Sequence, residues 1–526
     1  MHKNRPAAVT AASLLLLAAA GAAVAPAAHA GVHDSVRAGD RNCDFNGDGR
    51  DDVLVGAPGG TVSGDAGAGY VTVQYGTSGG LTTSNAVVLH QDSAGVPGGA
   101  EPGDAFGQAL ATGDLDGDGY DDAVVGIPHE AIGTTARAGG AVVLWGSPQG
   151  LTGTGSVWLE STSPTKDQTF GTGLAAARFF EEGNAGDLLA VVDRDGLQLY
   201  AFEAARDFSV RSDGGRDGSG AKARTPVLRN DAVEGLDRAG PSGSARLTAA
   251  PAQNIRPRAV TTGDYDGDGW ADLVVAGVST GAEPGHGWSM YFAGGQDALA
   301  YQRELRGGPA AASGDIDGDG LDDLVTGEPS GPGDGGDTLT GGLVGVYYGS
   351  ASGPAGEGGA ADPDTPPQWW TQDSPGVPGV AEQGDGWGSD LSVADTDGDG
   401  YADVAIGAPG EDIGTLTDAG AVWVLRGAAG GLTATGVRDV NQDTLNVPGA
   451  PEPADRFGGQ VRLADPDGDG RHLLLAAAPG ENTDDGVVWV FPSNSGGVTA
   501  GGSWTYGAGS VSAPPANARY GAAIDE

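Results

Sequence analysis

Short apolar runs of six or seven residues punctuate the chain: VLVGAP (53–58), AVVGIP (123–128), LVVAGV (273–278), LVTGEP (324–329), VAIGAP (404–409) and LLLAAAP (473–479). After most of them come a small-residue loop and a second apolar or alternating run that ends in a Gly-rich turn, as in YVTVQYGTSGGL, AVVLWGSPQGL, GLVGVYYGSASGP, AVWVLRGAAGGL and VVWVFPSNSGGV. Runs this short, rich in β-branched and aromatic residues and bounded by glycine, predict strands. No comparable stretch beyond the N-terminus has a helical period with caps. The expected class is all-β, with roughly four short strands per repeating unit.

What separates the runs is acidic. Immediately before each one stands a loop of the same form: DFNGDGRDD (44–52), DLDGDGYDD (114–122), DYDGDGWAD (264–272), DIDGDGLDD (315–323), DTDGDGYAD (395–403) and DPDGDGRHL (465–473). Two intervals between loop starts are 70 residues and one is 80, so the gap of 150 between 114 and 264 holds two periods. A damaged unit fills it: Phe170-Gly171 opens it, and RFFEEGNAGDLLAVV (178–192) replaces the loop and its strand, with the ligand positions gone apart from Glu181 and Asp187. Seven units follow, starting near residues 40, 104, 168, 258, 309, 385 and 455. A lone four-stranded sheet leaves a face uncovered, so the units must stack, and radial stacking into a seven-bladed β-propeller fits their length and number.

Alternating oxygen-bearing residues with glycines between them suit a hard cation, Ca²⁺ above all. The ligands expected are the side chains of Asp44, Asn46, Asp48 and Asp52 with the Arg50 carbonyl; Asp114, Asp116, Asp118 and Asp122 with that of Tyr120; and Asp264, Asp266, Asp268 and Asp272 with that of Trp270. The next two sets are Asp315, Asp317, Asp319 and Asp323 with the Leu321 carbonyl, and Asp395, Asp397, Asp399 and Asp403 with that of Tyr401. The last loop offers Asp465, Asp467 and Asp469, but Leu473 stands where the closing Asp belongs, so five sites and a weak sixth are expected. The twelfth position, a bidentate Glu in an EF-hand, is Val55, Val125, Val275, Thr326, Ile406 or Ala476 inside a predicted strand, which excludes that motif.

Eight residues before a loop lies an aromatic-Gly pair at Phe106-Gly107, Trp387-Gly388 and Phe457-Gly458. Aromatic-Gly, acidic loop, apolar strand and Gly-Ala-Pro together resemble the FG-GAP repeat of integrin α-subunit head domains and of secreted bacterial FG-GAP/VCBS-repeat proteins. The resemblance spans about residues 40–526 and implies a calcium-binding propeller that acts in extracellular binding or adhesion. It also implies that the linkers 90–107, 371–388 and 441–458, with Trp369, Trp370 and Trp387 near one of them, lie on the face that meets ligands. Phospholipases acting on glycosylphosphatidylinositol carry the same repeats behind a catalytic domain, for which the residues before the first loop leave no room.

The ends of the chain extend the pattern. Arg519-Tyr520-Gly521 looks like the start of another unit, whereas the first loop has no aromatic-Gly pair before it; residues 514–526 are therefore expected to complete the first blade and close the ring. Residues 206–258 carry ten basic against six acidic residues, and 206–257 reads as an outer strand or two plus a flexible insertion. At the N-terminus, His2, Lys3 and Arg5, the apolar run 7–25 and Ala28-His29-Ala30 form a signal peptide over residues 1–30. The expected mature chain, 31–526, is secreted or extracellular, either free or associated with the cell surface, and monomeric.

Composition narrows the function. A formal charge of −44 disfavours nucleic acid and anionic membranes as partners, and no second apolar stretch is long enough to span a bilayer. Cys43 is the only cysteine, so metal rather than disulfides would have to staple this exported fold. The histidines His90, His129, His286 and His472 form no metal-spaced pair, and the single G-x-S-x-G match, at 76–80, falls in a turn between strands. The residues point to a binding module for an extracellular protein or polysaccharide, with an exported esterase or phospholipase-like hydrolase as the alternative.

Overall fold

A computed structural model describes residues 43–181, 186–194, 196–203, 224–236, 245–247, 253–329, 340–356 and 366–525. The signal peptide expected over residues 1–30 lies outside them. Seven antiparallel sheets form the blades. From the innermost strand outward, blade 2 is Ala109–Gly113, Asp122–Ile127, Gly140–Leu144 and Val157–Leu159. Blade 5 is Ala310–Gly314, Asp323–Glu328, Leu343–Tyr347 and Gln368–Trp370. Blade 6 is Asp390–Ala394, Asp403–Ala408, Ala421–Arg426 and Thr433–Val440, and blade 7 is Gln460–Ala464, Leu473–Ala478, Val487–Phe491 and Trp504–Gly507.

Blade 1 is assembled from both ends of the chain. Val53–Ala57, Tyr70–Gln74 and Val87–Leu89 receive their innermost strand from Ala523–Ile524, which pairs with Val55 and Gly56. Blades 3 and 4 are enlarged. Blade 3 is Gly173–Ala177, Leu188–Val192, Gly196–Glu203 and the outer strand Thr225–Leu228, with Ala245–Arg246 also paired on Gly196–Glu203. Blade 4 is Ile255–Gly263, Asp272–Ser279, Gly287–Ala293 and Leu299–Arg306, with Val233–Glu234 as a parallel edge. The described parts of 206–257 thus include three short strands. Helix among the described residues is confined to short turns such as Glu481–Asp484. None is long and apolar enough to cross a membrane.

The apolar runs are continuous rather than alternating because their strands are covered on both faces. Every residue of Val53–Ala57, Asp122–Ile127 and Asp403–Ala408 is buried, as expected for strands packed between two neighbouring blades. Seven hydrophobic clusters fill seven seams, one of them joining Val53 and Val55 of blade 1 to Leu475 and Ala477 of blade 7.

The paired motifs meet in these seams. Gly388 donates its N–H to Gly407 O (3.0 Å) in its own blade, and its carbonyl lies where a Cβ on Gly327 of the preceding blade would stand, 2.1 Å away. The same approach recurs at Gly407 and Gly458, again 2.1 Å. Gly407→Ala is therefore expected to destabilise by about 1–3 kcal/mol through overpacking, measured as a lowered urea midpoint. The aromatic partners Phe106, Phe170, Trp387, Phe457 and Tyr520 are all fully buried.

Candidate functional site

Five of the acidic loops join the innermost strand of a blade to its second strand; the first, 44–52, leads into the second strand of blade 1, whose innermost strand comes from the C-terminus. Its two glycines have φ between 69° and 91° in all six copies, left-handed conformations that suit glycine. This bends the loop so that the sixth residue (Gly49, Gly119, Gly269, Gly320, Gly400 or Gly470) donates its N–H to the first Asp, at 2.6–3.1 Å. The fifth Asp in turn accepts the amide of the seventh residue, as Asp118 does from Tyr120 (3.2 Å), Asp268 from Trp270 (2.9 Å), Asp319 from Leu321 (2.9 Å) and Asp399 from Tyr401 (3.1 Å).

Five loops bring three carboxylate oxygens within 4.8 Å of one another: Asp114, Asp116 and Asp122; Asp264, Asp266 and Asp268; Asp315, Asp317 and Asp323; Asp395, Asp397 and Asp399; Asp465, Asp467 and Asp469. The last loop therefore gathers its carboxylates despite Leu473. In the first, Asn46 takes the second ligand position and leaves Asp44, Asp48 and Asp52 as the acids. Burial, reinforced by neighbouring carboxylates, raises Asp52 to about 8, Asp272 to about 8, Asp323 to about 7 and Asp114 to about 6. A crowded, partly buried, all-oxygen set of this kind fits a hard divalent cation.

The ninth Asp does more than face the loop. Asp122 accepts Leu115 N–H at one oxygen (3.0 Å) and Gly146 N–H at the other (2.8 Å). The pattern repeats at Asp52 with Phe45 and Gly76, Asp272 with Tyr265 and Gly294, Asp323 with Ile316 and Gly349, and Asp403 with Thr396 and Gly427. Both oxygens thus already hold main-chain amides, and only their remaining lone pairs could serve a cation. In the last loop this clamp is replaced: Ser493 donates its hydroxyl to His472 O at 2.7 Å.

The eighth residue carries a contact that sequence reasoning missed. Its N–H donates to the carbonyl of the first loop residue in the preceding blade: Asp51 to Asp465, Asp121 to Asp44, Asp187 to Asp114, Ala271 to Arg178, Asp322 to Asp264, Ala402 to Asp315 and His472 to Asp395. These seven bonds run around the whole ring. Where the residue is Asp, its carboxylate also accepts the N–H of that first residue, at 2.7–3.1 Å, so Asp51, Asp121, Asp187 and Asp322 tie blades together. Asp187 in the damaged unit is one of these ties, and Arg178 stands where a first Asp would be, donating to Gly186 O at 3.0 Å. The seventh side chain seals the seam: a Cβ on Gly47 would lie 2.6 Å from the Tyr120 ring, and one on Gly318 2.7 Å from that of Tyr401.

Antiparallel connection puts the linkers 90–107, 371–388 and 441–458 on the face opposite the acidic loops. They are held rigidly. Trp423 donates to Pro378 O and Trp489 to Pro448 O, each at 2.9 Å. Gln91 bonds Glu130 (2.9 Å), Gln372 bonds Glu411 (2.8 Å) and Gln442 bonds Glu481 (2.7 Å), each reaching a loop of the next blade. The two large exposed apolar side chains among the described residues, Val380 and Leu445, both stand on these linkers. Trp387 is buried in the core, while Trp369 and Trp370 are half-buried on an outer strand. Ser78, in the G-x-S-x-G match, is exposed in a turn between strands of blade 1.

Burial raises Glu130 and Glu411 to about 7, beside Asp104 and Asp385 at about 6. Between the unfolded value, roughly 4.3, and 7 the folded state holds protons that the unfolded chain has released, so these groups make stability fall as pH rises through that window and level off above it. Glu130→Gln and Glu411→Gln are expected to raise the melting temperature at pH 8 and leave it nearly unchanged at pH 4.5, as followed by circular dichroism.

The family model described as FG-GAP repeat matches residues 42–73, 106–144, 257–283 and 387–425. The rat phosphatidylinositol-glycan-specific phospholipase D (Rattus norvegicus) is 38% identical over 109 residues, which is 21% of this chain and 13% of the enzyme. The human protein of that name (Homo sapiens) is 35% identical over the same length and the same shares. The chain thus matches only about an eighth of the length of these relatives. Among solved structures, Sqt1 from Chaetomium thermophilum aligns at 14% identity over 76% of this chain and 83% of that one, with a TM-score of 0.36. Aleuria aurantia lectin, in complex with α-methyl-L-fucoside, aligns at 9% identity over 76% and 94%, with a TM-score of 0.33. Neither alignment carries an argument about this chain.

Proposed function

The chain is a seven-bladed β-propeller built of FG-GAP repeats, and from that premise we propose that it is an extracellular binding module, exported and acting in adhesion. Its ligand is a protein or polysaccharide. The acidic loops serve as Ca²⁺ staples on one face, and the linkers on the other form the ligand surface. The observation that carries this reading is the exposure of Val380 and Leu445 on linkers that Trp423 and Trp489 hold in place. Exposed apolar side chains on a rigid frame bind without first paying to order the loop.

The test is an array of glycans and surface proteins probed in Ca²⁺ with the wild type and with the double variant Val380→Asp, Leu445→Asp. Capture by the wild type and its loss in the variant supports the reading. Equal capture by both would move the ligand surface elsewhere, and turnover of an ester, phosphodiester or glycoside substrate would replace the binding module by a hydrolase.

A further inference from the structure

Two acidic loops already contain a positive charge. Arg426, the last residue of the third strand of blade 6, is almost buried and turns into the loop 395–403 of its own blade. Its Nη1 lies 2.7 Å from Asp403 Oδ2 and donates to Thr396 Oγ1 at 2.7 Å, while Nη2 pairs with Asp397 Oδ2. Arg224, just ahead of the outer strand of blade 3, crosses to the loop 114–122 of blade 2. Its Nε pairs with Asp116 Oδ2 and its Nη2 lies 3.0 Å from Asp118 Oδ2.

The two arrangements place a guanidinium in the same part of the blade by different routes. Arg426 is the residue after Leu425, which pairs with Val404 at the start of the second strand. The corresponding residue of blade 2 is Trp145, after Leu144 paired with Ala123, and its ring lies 4.2 Å beneath the Arg224 guanidinium. In blades 4 and 5 the same position holds Ala293 and Tyr348. No Lys or Arg among the described residues is in ion-pair reach of Asp264, Asp266, Asp268, Asp315, Asp317 or Asp319. Arg50 and Arg471 touch Asp48 and Asp469, but at 3.5 and 3.3 Å and with more exposed side chains, where an ion pair contributes little.

We propose that Arg224 and Arg426 are built-in cations that sort the loops into two classes: a divalent ion enters 114–122 and 395–403 only by displacing a guanidinium from Asp116 and Asp118 or from Asp397 and Asp403, whereas 264–272 and 315–323 take it directly. This rests on the reading of the loops as divalent-cation sites. Ion and guanidinium need the same oxygens, so occupancy by one lowers apparent affinity for the other in proportion to the fraction of loops left open. The sites on one ring then fill at different Ca²⁺ concentrations, and the arginines offset part of the charge of two loops when Ca²⁺ is scarce.

The experiment is calorimetric Ca²⁺ titration of the full chain, freed of metal, for the wild type, Arg224→Gln, Arg426→Gln and the charge-keeping Arg426→Lys, with melts of each in chelator. Each Gln variant is expected to gain about tenfold affinity at one site, the effect of a loop closed nine-tenths of the time, and to melt lower in chelator, with Arg426→Lys between Gln and wild type. Ca²⁺ uptake by the wild type with unchanged isotherms in both Gln variants overturns the arginine assignment alone. No uptake by the wild type counts against the calcium reading; the chelator melts then decide the assignment, unchanged melts in both Gln variants overturning it. Arg224→Gln lies at the periphery and keeps the test open if Arg426→Gln does not fold.

Discussion

Truncation before Pro514 is expected to cost this protein its cooperative melt. The segment is stitched to both neighbours: Arg519 and Tyr520 donate main-chain N–H groups to Asp484 O (2.8 Å) and Asp485 O (3.0 Å) of blade 7, while Gly521 donates to Gly56 O (3.0 Å) of blade 1. The Tyr520 hydroxyl lies 2.6 Å from Thr72 Oγ1 and accepts from Gln74 Nε2 at 3.2 Å. Asp525, wholly buried, accepts Leu54 N–H at 2.8 Å. Without this segment Val53–Ala57 becomes an unpaired inner edge, the ring opens, and stacked units lose a neighbour on each side of the break. The point variant Tyr520→Ala removes one buried ring and is expected to cost about 3–5 kcal/mol. Urea and thermal unfolding measure both; melts that superimpose on the wild type would show that the ring does not depend on this strand.

Withdrawal of Ca²⁺ has the second largest expected effect. An ion that binds only the folded loop stabilises it by RT ln(1 + [L]/Kd), roughly 1.4 kcal/mol per site at tenfold excess. For extracellular sites with Kd of about 10⁻⁴ M, millimolar Ca²⁺ across several loops adds up to several kcal/mol. The direction follows from the carboxylates themselves, since Asp264, Asp266 and Asp268, like Asp315, Asp317 and Asp323, crowd within 4.8 Å and repel one another unless a positive charge lies between them. Chelator should lower the melting temperature, Ca²⁺ should restore it, and Mg²⁺, which demands smaller octahedral sites, should restore it less. Asp317→Asn should shrink the Ca²⁺-dependent part of the shift. A melt indifferent to chelator would leave the loops as turns held by their internal hydrogen bonds alone.

Much of the architecture was legible in the sequence. The runs after each acidic loop are continuous and apolar because their strands are covered on both faces, and the spacing of the loops announced a blade between 114 and 264 that has lost most of its loop acids. The site was legible only as a ligand list. Asp122 reads as the last ligand of its loop, yet its second amide partner, Gly146, lies 24 residues downstream in a turn that the loop pattern does not include. Asp121 and Asp322 sit inside acidic loops without a ligand position of their own, and their carboxylates hold the amides of Asp44 and Asp264 in the preceding blade. That role could be found only at Asp187, where the other loop aspartates have vanished and one has been kept. Arg224 was hidden for a different reason: it belongs to a basic, Gly-rich segment read as an insertion, and its target at 116–118 is more than 100 residues away in sequence.

The central claim is that a ring of acidic loops acts as a set of cation staples for a propeller that binds ligand on its other face. Calorimetric titration of the metal-free full chain with Ca²⁺ tests it most directly. The account predicts several sites, about five by the acids that each loop offers, with a melting temperature that rises as they fill. One site or none would contradict it.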